Sequence, residues 1–193
     1  NISIPWQYLY FIFGGIFFYL FLRILGLPWL SSVFGALIFI LLPHHLGLIN
    51  AGHNTKIQAI MFSPFLAWSF MFYVKKTSLL SFALLTLGFA LEARTNHYQI
   101  VYYAGFLLLF LGIPYLITYI KSGRWKKMGV QVGLLLVALI FAGVIAGPKL
   151  ILTEQYLQYS IRGSSGETEQ TTAGGLEKDY ATQWSFPPAE MLT

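Results

Sequence analysis

Six apolar runs separated by short polar connections leave this chain very little choice of fold. They are Trp6–Leu25, Trp29–Leu42, Ile57–Val74, Leu79–Leu91, Tyr98–Ile120 and Val130–Ala146, each closed by Pro, Gly, Asn or a charged residue. A hydrocarbon core about 30 Å thick is crossed by roughly 20 apolar helical residues, and several of these runs reach that length. With 56% hydrophobic and 10% charged residues and a mean hydropathy of +0.66, a 193-residue chain is not a water-soluble domain. The runs do not alternate polar with apolar residues, so they are helices and not barrel strands. The expected fold is an all-α integral membrane protein. About six transmembrane helices fill 1–148, and an external or periplasmic segment covers 149–193, with a mobile Gly/Ser/Thr-rich loop at 162–175. The first run is too long and aromatic for a secretory signal and lacks a small-residue cleavage pattern, so it reads as a span. The chain starts without Met and stops within WSFPPAEMLT, which reads as a piece of a longer protein. There is no Cys, hence no disulfide or thiolate metal site.

Charge fixes the expected orientation. Arg23 follows the first run, Lys75 and Lys76 the third, and Lys121, Arg124, Lys126 and Lys127 the fifth. Alternate connections thus carry seven basic residues and no acid. The positive-inside rule makes those connections cytoplasmic. The opposite side receives Lys56, Arg94, Lys149, Arg162 and Lys178 together with all four His and all seven carboxylates. Chemistry or binding is expected on that face. Its three segments are Pro43–Lys56 (PHHLGLINAGHNTK), Glu92–Gln99 (EARTNHYQ) and the stretch from Lys149 onward.

The fourth run is short. Fifteen residues from Thr77 to Leu91 give only about 22 Å of helix, so its outer end should lie below the membrane surface. Glu92, Arg94, Asn96 and His97 would then sit within the bilayer's thickness, where ionisable groups are costly unless paired or facing a wet cavity. Pro43, His44 and His45 interrupt the second run in a similar way, so the two outer ends are expected to floor one external cavity. Glu92 and Arg94 point to different helix faces unless the helix has already ended.

Three segments carry a family resemblance: GHNTK at Gly52–Lys56, RTNHYQIVYY at Arg94–Tyr103 and LEKDYATQWSFPPAEMLT at Leu176–Thr193. Their order and spacing resemble the YfhO-like bacterial membrane proteins, which belong among the GT-C type glycosyltransferases. The resemblance implies a multi-span enzyme of the bacterial inner membrane. It would move a sugar from a polyprenyl-phosphate carrier to an envelope polymer or lipid on the exterior or periplasmic face. It also implies that the usual acidic catalytic residue, carried in a first external loop, lies outside this chain together with the N-terminal span.

The residues agree with that chemistry on their own terms. Cleaving a sugar–phosphate bond leaves negative charge on a lipid phosphate, which needs fixed cationic donors. Lys56, Arg94 and Lys149 are the external cations near run ends, Arg as a planar fork and Lys as a point charge. His53 and His97 can donate or move protons. Asn54, Asn96 and Gln99 suit hydroxyl-rich substrates. Glu92 is the candidate acid or base, with a structural ion pair to Arg94 as the competing reading. His44 and His45 read as helix-end residues, and exposed Tyr and Trp as interfacial anchors. No cofactor is implied. Without Cys or an H-x-x-x-H spacing, a divalent metal is unsupported. The KSGRWKK loop touches membrane lipid and calls for no nucleic acid. The alternative to an enzyme is a transporter or flippase for a lipid-linked or polar substrate. Such a path needs polar groups through the bilayer's depth, and the basic halves of these runs are almost wholly apolar.

Overall fold

A computed structural model describes residues 7–157, and these are helical apart from short turns. In order they form α1 (Gln7–Ile24), α2 (Trp29–Ile40), α3 (Pro43–Asn50), α4 (Asn54–Lys75), α5 (Leu79–Ala93), α6 (Tyr98–Lys121) and α7 (Trp125–Leu157). The fold class is the all-α bundle expected from the apolar runs. Among the described residues five segments are long and apolar enough to cross a membrane, with α2 and α3 together counting as one, and α5 is shorter. The chain is a multi-pass membrane protein. It divides into two units, Asn1–Pro148 and Lys149–Thr193. In the second unit the described residues are the last turns of α7, and the expected loop 162–175 and the motif around Trp184 lie outside the described residues.

Within the first unit α4 is the hub. It packs against α1, α3, α5 and α6, while α2 lies on α1. Lipid tails are as apolar as Leu, so close packing holds such helices together more than any difference in hydrophobicity. Close approach needs small residues at the crossings. A Cβ added at Gly14 of α1 would stand 2.7 Å from the Met61 sulfur and 3.2 Å from Met61 Cα of α4. One added at Gly88 of α5 would meet Leu66 Cα at 3.2 Å. A buried cluster around Leu66, Phe70, Tyr73 and Leu85 fills one half of the bundle, and a smaller one around Leu48, Ile57 and Met61 fills the other.

Local chemistry sets the element ends. Ser78 and Ser81 cap α5 reciprocally: the Ser81 backbone N–H donates to Ser78 Oγ at 3.2 Å and the Ser78 N–H to Ser81 Oγ at 2.9 Å. Pro43 starts α3 at a position where its missing N–H costs nothing. At the end of α3, Gly52 has φ +73, a left-handed turn that glycine adopts without steric penalty.

Two boundaries differ from expectation. The third run begins at Asn54, three residues earlier than Ile57, because His53 and Asn54 turn the chain directly into α4. The sixth run begins at Trp125 and continues through Gly147 and Pro148 to Leu157, where a helix end was expected. Proline in a helix interior removes one hydrogen bond and crowds the carbonyl four residues earlier. Apolar surroundings make leaving the helix costlier still, since every freed backbone group would need a new partner.

Candidate functional site at the histidine end

The turns α2–α3, α3–α4 and α5–α6 lie at one end of the bundle, and the basic turns after α1, α4 and α6 at the other. These will be called the histidine end and the basic end. At the histidine end the decisive residue is Glu92. The buried stripe of α5 is Ser81, Leu85, Gly88 and Glu92, spaced by four, three and four residues, so Glu92 simply continues the face that α5 turns toward α4. It is 1% exposed. Ser63 Oγ of α4 donates to Glu92 Oε1 at 3.0 Å, while Glu92 Oε2 is buried without a hydrogen-bond partner.

Ser63 also reports depth. It lies nine residues into α4 from Asn54, about 14 Å along the axis. Glu92 is therefore held well below the end of its neighbour, in keeping with the short fourth run. Ser63 is also seven residues from Lys56, two turns along the same helix face. Lys56, half-buried, thus stands on the face of α4 that meets Glu92, about 10 Å above it along the axis.

Arg94 caps the C-terminus of α5 and is exposed, and among the described residues it forms no ion pair with Glu92. The two point apart because they are two residues apart at the end of a helix that runs to Ala93. The competing reading of a structural Glu92–Arg94 pair is thereby set aside. The turn after Arg94 is held instead by Thr95, which is 1% exposed and donates from Oγ1 to the Glu92 carbonyl at 2.7 Å. The His97 backbone N–H then donates to Thr95 Oγ1 at 3.3 Å. Between them Asn96 takes a φ of +58, a conformation Asn tolerates better than most residues. His97 is the N-cap residue of α6, half-buried, and its Nδ1 has no hydrogen-bond partner.

The other sequence candidates are distributed as follows. His53 is exposed as the N-cap of α4, followed by half-buried Asn54. Gln99 is exposed, and its Nε2 donates to Tyr103 Oη at 2.9 Å within α6. Lys149 lies in the α7 helix of the second unit, half-buried. His44 is exposed, as a helix-end residue should be, but His45 is not: it is 2% exposed, with its ring edge-on to Phe11 at 5.8 Å and Phe39 at 5.6 Å. Its Nδ1 is buried and unpartnered. At this end His45, Glu92 and Thr95 are therefore polar groups packed inside the bundle. Among the described residues no three His, Cys, Asp or Glu side chains converge on a metal position.

Ser63 and Thr95 were not singled out from the sequence, although both belong to the Glu92 arrangement. The spacing Ser81, Leu85, Gly88, Glu92 was the available signal for an inward carboxylate. Nothing comparable marks Ser63 within α4. Comparison with protein-family models, curated proteins and solved structures finds no match to this chain.

Proposed function

We propose that the histidine end forms part of the external site of a membrane glycosyltransferase using a polyprenyl-phosphate sugar donor and an envelope polymer or lipid acceptor. The reading rests on one observation: Glu92 is held deep on the α4 face by Ser63 with its second oxygen free, beneath Lys56 and beside a turn carrying Arg94, Asn96 and His97. A carboxylate so placed costs stability, and an intramembrane ionisable group of that kind is expected to serve a function. Exposed Arg94 and half-buried Lys56 supply cations for a lipid phosphate, and His97 Nδ1 offers a further polar contact at the α6 N-terminus. Glu92 itself is closed off, so a role in proton transfer would require α5 and α4 to part locally. The turn itself is held by the Glu92 main-chain carbonyl, which accepts from Thr95 Oγ1, and not by the carboxyl group.

The competing reading is a flippase or transporter. Glu92 lies deeper than the charged residues around it, which is the one feature favouring that reading. At the basic end buried Gln131 donates its side-chain amide to the Val74 carbonyl and to Thr77 Oγ1, a tie between α7 and α4 and not an unsatisfied group. The two readings part in a reconstituted vesicle assay of the full-length protein with radiolabelled polyprenyl-phosphate sugar. Label appearing on an acceptor supports the enzyme, whereas label crossing the bilayer still attached to its carrier supports the transporter.

A further inference from the structure

Toward the basic end, α4, α5, α6 and α7 enclose a groove of about 470 Å³. Its long walls are Leu109, Ile113 and Leu116 of α6 and Val132, Leu135 and Leu139 of α7. At its basic end α7 is clasped to α4 and the α4–α5 turn. Gln131 Nε2 donates to the Val74 carbonyl at 3.0 Å and to Thr77 Oγ1 at 2.7 Å, and Tyr73 Oη donates to the Gln131 carbonyl at 2.7 Å. Beyond this clasp α7 does not pack closely along α6. Gly105 on the groove wall leaves open space where a side chain would stand.

The groove has the dimensions and polarity of an acyl-chain slot. From Gly105 to Tyr119 α6 runs about 21 Å, and from Met128 to Leu139 α7 runs about 16 Å, close to the roughly 15 Å depth of one leaflet's hydrocarbon. Polar groups appear only at the basic end, where Tyr73 and Gln131 are already hydrogen-bonded to each other's helices. There Lys127 Nζ lies 5.4 Å from the centroid of the Tyr119 ring, which lines the groove. Lys121, Arg124 and Lys126 belong to the same turn, and the sequence has no carboxylate between Glu92 and Glu154. Among the described residues no carboxylate pairs with these cations, and an apolar slot opening beside such positive charge selects an amphiphile with an anionic head.

We propose that the α6–α7 groove binds one acyl chain of an anionic phospholipid, whose phosphate is held by Lys127 and its basic neighbours. This site is separate from the histidine end and does not depend on the glycosyltransferase reading. The charge rule assigns it to the cytoplasmic leaflet, where anionic headgroups attract basic residues near the surface.

The test uses the full-length protein in zwitterionic detergent, exposed to equal amounts of phosphatidylglycerol and phosphatidylcholine and read by native mass spectrometry. Phosphatidylglycerol should be retained preferentially, and Lys127→Ala should weaken it about fivefold while leaving phosphatidylcholine unaffected. Gly105→Leu, which fills open space, should reduce phosphatidylglycerol retention. A photo-reactive residue replacing Ile113 reads the occupant directly and does not depend on either variant. A phospholipid adduct supports the proposal. An adduct to a second copy or to another protein segment overturns it, as do equal retention of the two lipids or displacement of phosphatidylglycerol by polyprenyl phosphate.

Discussion

The two ends of this bundle handle polar groups in opposite ways. At the basic end Gln131 is buried, its Nε2 donating to the Val74 carbonyl and Thr77 Oγ1 and its main-chain carbonyl accepting from Tyr73 Oη, and the charged residues stay exposed. At the histidine end Glu92 Oε2, His97 Nδ1 and His45 Nδ1 are buried without hydrogen-bond partners. Buried polar groups in apolar surroundings cost stability unless satisfied, so the first arrangement is what structure alone requires and the second is not. The lesson is that burial of a polar residue in a membrane bundle says little by itself. Whether its buried polar atoms are left unpartnered separates a clasp from a candidate site.

The largest effect that sharpens this comparison concerns packing. Gly14→Leu forces bulk onto Met61 and should destabilise the bundle by about 3 kcal/mol, whereas Gly105→Leu enters open space and should change stability by less than about 0.5 kcal/mol. Thermal unfolding in detergent reads both. Equal losses would mean that the α6–α7 groove is not open. Next comes Glu92. Glu92→Ala removes the Ser63 partner and leaves a small void, with an expected loss of about 2 kcal/mol. Glu92→Gln keeps an acceptor for Ser63, so it should retain most of that stability while sugar transfer falls at least tenfold. Full activity in Glu92→Gln would remove the Glu92 carboxyl from the site and leave it a packing partner of Ser63. Smallest is Gln131→Leu. Its hydrogen bonds sit within the membrane region, where such bonds average well under 1 kcal/mol, so global stability should drop by about 0.6 kcal/mol. Hydrogen exchange should nonetheless rise selectively in the first turns of α7, and uniform exchange across the bundle would contradict the clasp.

Much of the fold was legible because membrane crossing leaves a coarse and robust signal. The short fourth run emerged as α5 at Leu79–Ala93, and the depth of Glu92 followed from its length. Glu92 and Arg94 diverge as their two-residue spacing implies. Other features depended on contacts that no single helix reveals. Pro148 looked like a terminator, yet the helix passes through it because the freed backbone has nowhere better to go. His45 read as a helix-end residue and is instead wedged between Phe11 and Phe39. Ser63 and Gln131 are ordinary polar residues in apolar runs, and only the pairing of distant helices shows that one meets a carboxylate and the other ties down α7.

We propose that the histidine end, and not the basic end, serves the sugar-carrier phosphate. The most direct test compares Arg94→Ala with Lys76→Ala in the full-length protein, at matched membrane expression, by the rate of sugar transfer from a radiolabelled polyprenyl-phosphate donor. Both side chains are exposed cations, so general loss of charge is controlled. The account predicts at least a hundredfold loss for Arg94→Ala and near wild-type transfer for Lys76→Ala, as removal of a phosphate-stabilising donor typically costs. Equal rates in the two variants, or loss only in Lys76→Ala, would contradict it.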